Sequence, residues 1–91
     1  MRVAFIGHDK PGHLQVRLDN RTAHIDYLRQ TSGSVEMAGP LLDDAGQMCG
    51  SLVILGVATM EEAQAWAAAD PYAKAGLFAS TQLIQWNRVI G

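Results

Sequence analysis

The segment GSLVILGV, residues 50–57, decides the fold, because apolar side chains run through it almost without interruption. A short apolar run between turn residues is typical of a strand that is buried on both faces of its sheet. The segment RVAFIGH, residues 2–8, is also apolar and carries β-branched and aromatic residues. It ends at turn-like residues, and we interpret it as a first strand. Both strands look apolar on both sides, so their sheet needs cover on both faces.

Between these strands the sequence predicts a helix and a further strand. Residues 14–32 predict a helix with one apolar face, which is formed by Leu14, Leu18, Ile25 and Leu28. Residues 35–43 predict a strand with a bulge or an edge strand, because Pro40 cannot donate a hydrogen bond within a sheet.

After residue 57 the sequence predicts a second helix and a last strand. Thr59 is a helix-capping residue type, and Glu62 three positions later completes a capping-box pattern. Residues 80–89 predict the last strand. The resulting order, β-α-β-β-α-β, is that of a ferredoxin-like α+β fold with a four-stranded antiparallel sheet.

This fold predicts a partner for the sheet. Two helices cover only one face of four strands, and large exposed apolar patches are rare on soluble monomers. We therefore expect a homodimer in which the sheet faces of two copies pack together.

Composition limits the class of protein. Residues 1–91 fit one domain, and 48% of them are hydrophobic, as expected of a globular chain. The net charge of −2 offers no basic excess for nucleic acid. No apolar run approaches the roughly 20 residues that cross a membrane, and the first one is too short for a signal peptide. The single Cys49 fits a reducing compartment, so we expect a cytoplasmic protein.

No cofactor or metal motif is present. The sequence lacks a glycine-rich nucleotide-binding pattern and a C-x-x-C pair. His8, Asp9 and His13 are close in sequence, but loop histidines without a third strong ligand are usually solvated. We predict neither a metal nor a cofactor.

Asp70 has a sufficient structural explanation. A residue before proline is disfavoured in the α region, so the helix must end there. Asp is also a favoured cap, and Pro71 suits the first position of a following helix that Gly76 ends. Residue types alone therefore give no preference for catalysis at Asp70.

The first helix carries three ionisable candidates. His24 borders the apolar face, and its imidazole titrates near neutrality, as a proton-transfer catalyst requires. A solvated surface histidine is the simpler interpretation. Arg17 and Arg21 lie one helical turn apart and could bind a carboxylate or phenolate, although such pairs more often face solvent.

Four motifs in order resemble the YciI-like (YCII-related) family. They are R-L-x-x-R-x-x-H (residues 17–24), A-G-P-L (38–41), G-S (50–51) and E-A-Q-A-W-A-x-x-D-P-Y-x-x-A-G (62–76). The last is quite specific, whereas each short motif alone is weak. The resemblance implies a dimeric α+β barrel.

The resemblance also implies a site. It implies a catalytic His/Asp pair, here His24 and Asp70, with Arg21, Ser51 and Tyr72 near the same pocket. Arg17, from the arginine pair on the first helix, is a further substrate-binding candidate. One branch of the family removes chloride from a chlorinated hydroxyhydroquinone. Met48 and Cys49 depart from the commoner Phe-Thr, so the substrate is not carried over.

Two classes of function follow. The first is a cofactor-independent lyase or dehydrochlorinase that acts on a ring-type small molecule by proton transfer. The second is a non-catalytic small-ligand-binding or dimerisation module of the same fold, which predicts that His24 and Asp70 do not meet. A third alternative, an oxygenase-like barrel without heme, requires oxygen-dependent product formation.

Overall fold

A computed structural model describes all 91 residues of the chain. Its elements are β1 (Arg2–Asp9), α1 (Leu14–Gln30), β2 (Val35–Leu42), β3 (Met48–Gly56), α2 (Met60–Ala69), α3 (Pro71–Lys74) and β4 (Phe78–Trp86). The four strands form one sheet in the order β2-β3-β1-β4, and all neighbouring strands are antiparallel. This topology confirms the ferredoxin-like prediction.

The core lies between the helices and one face of the two central strands. Val3 and Phe5 of β1 and Val53 and Leu55 of β3 are essentially inaccessible to solvent. Trp66 of α2 meets Phe5 edge to face, with ring centroids 6.0 Å apart. The alternation of buried residues along β1 is the pattern expected of a strand with one face on this core.

The opposite face of the sheet, the outer face, is apolar and uncovered within the chain. One row of paired residues across the four strands is Met37, Ile54, Ala4 and Ile84. Met37 and Ile84 are more than half exposed, and Leu52 in the neighbouring row is 38% exposed. The prediction that residues 50–57 are apolar on both sides is therefore confirmed, but cover for the outer face must come from outside the chain.

Strand β2 occupies one edge of the sheet. Pro40 pairs with Ser51 of β3, and the pairing register shifts on both sides of it, after Val35 and after Leu41. The sequence predicts either a bulge or an edge position for this strand, and the structure shows both an irregular register and an edge position.

Helix α1 presents only part of the apolar face that the sequence predicts. The two residues that it buries are Arg17 and His24, whereas Leu18 is 47% exposed. Leu28 nevertheless packs against the core, and Leu14 and Ile25 are half-buried, so the predicted stripe is wrong at Leu18 and correct in part for the other three residues. Hydrophobic periodicity cannot foresee this orientation, because a polar side chain is buried without penalty only when a distant partner satisfies it.

The break between α2 and α3 falls at Asp70, as the sequence predicts. Asp70 has an extended backbone, and its Oδ1 accepts a hydrogen bond from the Tyr72 amide at 3.0 Å. Gly76, with φ of +70°, follows the last turn of α3.

The start of α2 matches its prediction with one difference. Thr59 accepts a hydrogen bond from the Glu62 amide, but the Glu62 carboxylate reaches the amide of Ala58, one residue before the cap. None of the helices is long and apolar enough to cross a lipid bilayer.

Candidate active site

A cavity of about 180 Å³ lies beside β2, between α1, α3 and β3. Five of the six residues singled out from the sequence line it: Arg17, Arg21, His24, Ser51 and Tyr72. The sixth, Asp70, contacts His24 from the side of the protein interior. The remaining lining is largely apolar and comes from Ile25, Leu28, Ala38, Gly39, Pro40 and Met48.

His24 and Asp70 form a buried pair. Nδ1 of His24 lies 2.8 Å from Oδ1 of Asp70, and the Asp70 side chain is wholly inaccessible to solvent. A carboxylate at Nδ1 fixes that nitrogen as the N–H donor and leaves Nε2 to exchange a proton. Nε2 has no hydrogen-bond partner in the chain, and it keeps some exposure to solvent. Because His24 lines the cavity, Nε2 is positioned for proton transfer to a molecule bound there.

The Asp70 carboxylate is held through one oxygen only. Oδ1 accepts from both His24 and the Tyr72 amide, whereas Oδ2 is buried and has no hydrogen-bond partner. It is the one fully buried side-chain polar atom of the chain without a partner. The oxygen that caps α3 therefore also orients the imidazole, so the cap and the contact with His24 share one acceptor atom.

Tyr72 connects the pair to the arginine side of the cavity. Its ring stacks on the imidazole of His24, with centroids 3.9 Å apart and planes 16° apart. The Arg17 guanidinium lies 4.5 Å from the centre of the same ring, in cation–π contact. Tyr72 is itself 1% exposed, and these contacts hold its ring against His24 and Arg17 of α1.

Arg17 is buried in an ion pair with Asp9, a pairing that the sequence analysis does not predict. Its Nε and Nη2 donate to the two oxygens of Asp9 at 2.7 and 2.9 Å, a bidentate pair. Nη2 also donates to Oγ of Ser51 at 2.9 Å. Sequence reasoning considered Asp9 only as a metal ligand. The available signal was position, because Asp9 ends β1 and Arg17 lies in the first turn of α1, so a short β-to-α connection brings them together.

Arg21 differs from Arg17 in being exposed. It lines the cavity one turn along α1, and no carboxylate forms an ion pair with it. Of the two arginines, Arg21 therefore has the uncompensated positive charge.

Burial and charge shift the pKa of three groups, two of which, Tyr72 and Arg17, line the cavity. Burial raises the pKa of Tyr72, although the positive charges of Arg17 and Arg21 act in the opposite direction. Burial, reinforced by the charge of Asp70, raises the pKa of Tyr27. Burial alone would lower the pKa of Arg17, but the hydrogen bonds and charge of Asp9 raise it on balance. Both phenols and the guanidinium thus stay protonated at neutral pH.

The residues considered for a metal do not come together as ligands. No group of three or more His, Cys, Asp or Glu side chains is arranged to hold an ion. Asp9 is occupied by Arg17, and Nδ1 of His13 contacts the carbonyl oxygen of Pro11.

Known proteins resemble this chain in both sequence and structure. The profile of the YCII-related domain matches residues 1–87. The protein YciI of Escherichia coli is 34% identical, over 98% of this chain and 99% of its own length. An uncharacterised protein of Haemophilus influenzae is 31% identical over the same shares.

One solved structure is similar across nearly the whole chain. It is the 5-chloro-2-hydroxyhydroquinone dehydrochlorinase TftG of Burkholderia phenoliruptrix, in complex with 2,5-dihydroxybenzoquinone. The TM-score is 0.88 with 36% identity, over 96% of this chain and 94% of TftG. A NIPSNAP family protein of Agrobacterium tumefaciens, at 19% identity and a TM-score of 0.54, shares the fold alone. By the extent of these matches, the chain belongs to the YCII-related family.

Proposed function

We propose that this protein is a small-molecule enzyme in which His24 and Asp70 transfer protons to and from a ring-type substrate. The observation that carries this proposal is the buried 2.8 Å contact between His24 Nδ1 and Asp70 Oδ1, with Nε2 left free at the cavity. His24 is the general acid and base, and Asp70 orients it. The non-catalytic alternative predicts no such contact.

The cavity suits one substituted ring. A dry cavity of about 150 Å³ in another protein accommodates benzene, and the cavity here measures about 180 Å³. Its lining combines apolar side chains, among them Ile25, Leu28 and Met48, with positive and hydroxyl-bearing groups. We assign Arg21 rather than Arg17 to the charge of a substrate oxyanion, because Asp9 already neutralises Arg17.

A dehydrochlorination is the reaction that this set supports best. The ring first takes its keto form, in which the carbon that bears chlorine is protonated and one hydroxyl has lost its proton. A second hydroxyl then gives its proton to His24 Nε2, its oxygen becomes a carbonyl, and chloride leaves with the C–Cl bonding pair. The net change is loss of HCl, so no external oxidant or reductant is consumed. The activity named for TftG supports this choice of reaction class.

The test is anaerobic incubation of the purified protein with 5-chloro-2-hydroxyhydroquinone, followed by chloride release and quinone absorbance. We expect turnover, and we expect His24→Gln to reduce it by about 10²- to 10⁴-fold. His8→Gln is the matched control, because His8 is exposed and has no hydrogen bond through its side chain.

Three results would contradict the proposal. Equal turnover by the His24→Gln variant would exclude proton transfer by this residue. Binding of 2,5-dihydroxybenzoquinone without turnover of any chlorinated ring would favour the ligand-binding module. Product formation that depends on oxygen would favour the oxygenase-like alternative.

We also propose that two copies pack through their outer faces to form a homodimer. The support is the set of exposed apolar side chains on this face, Met37, Leu52 and Ile84. Patches of this kind are rare on monomers. We propose a cytoplasmic location, because the single cysteine suits a reducing compartment. We also treat residues 1–91 as one domain.

A further inference from the structure

The ion pair between Arg17 and Asp9 is a costly feature for a small domain to bury. The two side chains are 2% and 7% exposed, and desolvation of such a pair commonly offsets most of its attraction. A hydrophobic pair would hold β1 to α1 as well. The pair therefore deserves a functional explanation, and its contacts inside the cavity suggest one.

The contact with Ser51 fixes the direction of a hydrogen bond. A guanidinium has only donors, so Ser51 Oγ must be the acceptor of the 2.9 Å bond from Arg17 Nη2. The Ser51 hydroxyl hydrogen finds no acceptor in the chain. Because Ser51 is buried and lines the cavity, that hydrogen is available to a bound molecule.

We infer that Asp9 is a positioning residue of the cavity: it holds Arg17 so that the Ser51 hydroxyl donates to a carbonyl or deprotonated oxygen of the ligand. Arg21, with no carboxylate partner, adds a second donor to the same cavity. The inference rests on the proposed function in one respect, since the ligand occupies the same cavity. It specifies a ring with a quinoid or anionic oxygen, in preference to one whose oxygens are all hydroxyl donors.

Binding tests the direction of the Ser51 bond without any need for turnover. The probes are 2,5-dihydroxybenzoquinone and hydroquinone, titrated by calorimetry and by quinone absorbance. We expect wild type to prefer the quinone, and Ser51→Ala to weaken quinone binding by about tenfold or more, with a smaller effect on hydroquinone. Glu36→Gln, in the exposed ion pair with Arg2, is the matched control and should bind as wild type does.

A double-mutant cycle tests the role of Asp9. If Asp9 acts through Ser51, Asp9→Asn weakens quinone binding in the wild-type background but adds little to Ser51→Ala. Asp9→Glu, which keeps the charge, should restore part of the loss. A purely structural role for Asp9 predicts losses that add, and the same loss for both probes. If Asp9→Asn does not fold, the cycle is completed with Asp9→Glu and Ser51→Ala.

Four outcomes would overturn the inference. Two concern the hydroxyl group: a Ser51→Ala variant that binds the quinone as tightly as wild type, or additive losses in the cycle. Two concern the ligand class: a wild type that binds hydroquinone at least as well as the quinone, or one that binds neither probe. The first three do not bear on His24, whose role is tested by turnover, so the two proposals fail separately; the fourth would also count against a ring-type substrate.

Discussion

Nδ1 of His24 lies 2.8 Å from Oδ1 of Asp70, although the two residues are 46 positions apart in the sequence. The second oxygen of the carboxylate is buried without a partner. All the contacts that position Asp70 therefore use one oxygen, and an amide could reproduce them. This asymmetry allows the charge of Asp70 to be separated from its hydrogen bonds.

The first prediction uses that separation. Asp70→Asn can keep its carbonyl oxygen facing His24 and the Tyr72 amide, and its amino group then takes the position of the free Oδ2. We expect near-wild-type stability but turnover reduced by about 100-fold or more, because the negative charge that stabilises the imidazolium is lost. The measurements are kcat and urea unfolding of the same preparation.

Asp70→Ala is the comparison for this variant. It also removes the cap of α3 and leaves His24 Nδ1–H unpaired in the interior. We expect its free energy of unfolding to fall by about 2–4 kcal/mol. If Asp70→Asn were as active as wild type, the charge of Asp70 would have no part in catalysis.

The second prediction compares a buried with an exposed ion pair. Asp9→Asn leaves the buried guanidinium of Arg17 without its counter-charge, and we expect a loss of about 3–5 kcal/mol in the free energy of unfolding. Glu36→Gln breaks a pair whose side chains are each 34% exposed, so we expect less than about 1 kcal/mol. Urea unfolding of both variants is the check, and equal losses would contradict the argument.

The sequence was sufficient for most of the fold. Continuous apolar segments predicted the central strands, and Pro40 predicted an irregular edge strand. The Asp70–Pro71 step predicted a helix break, because the residue before proline is restricted by local sterics alone. These features depend on neighbours in the chain, which a sequence displays directly.

The orientation of α1 could not be predicted in the same way. Arg17 and His24 turn inward because Asp9, Ser51 and Asp70 satisfy them, and two of these partners are more than 30 positions away. Hydrophobic periodicity counts apolar residues and ignores such partners, so it assigned Leu18 to the buried face. Family resemblance, rather than periodicity, suggested that His24 and Asp70 meet.

The third prediction concerns alkaline pH. The pKa values of Tyr72 and Tyr27 are raised above the ordinary value of about 10, mainly by burial. Above that pH the unfolded chain releases these protons before the folded chain does, so the free energy of unfolding falls as pH rises. Below pH 10 the two phenols contribute no slope. Urea unfolding between pH 8 and 11 measures the effect.

Tyr72→Phe provides the control for this prediction. It keeps the ring that stacks on His24 and removes the ionisable group. Its stability should fall less steeply above pH 10 than that of wild type. An unchanged slope would show that another group governs the alkaline limb.

The last prediction concerns the outer face and pairs two exposed leucines. Leu52 lies on the outer face of β3 and is 38% exposed, whereas Leu18 lies on α1, away from the sheet, and is 47% exposed. A charge buried in an apolar interface without a partner is strongly unfavourable. We therefore expect Leu52→Glu to raise the dimer dissociation constant by about 100-fold or more, and Leu18→Glu to leave it unchanged.

Sedimentation equilibrium over a range of protein concentrations measures both constants, and circular dichroism checks that each variant is folded. A wild-type chain that is monomeric at every concentration would contradict the proposed homodimer. Dissociation by Leu18→Glu instead of Leu52→Glu would move the interface to the helical side. Loss of quinone binding together with dissociation would indicate that the cavity depends on the partner, because Ala38, Gly39 and Pro40 line the cavity and also border a groove with Leu52 on the outer face.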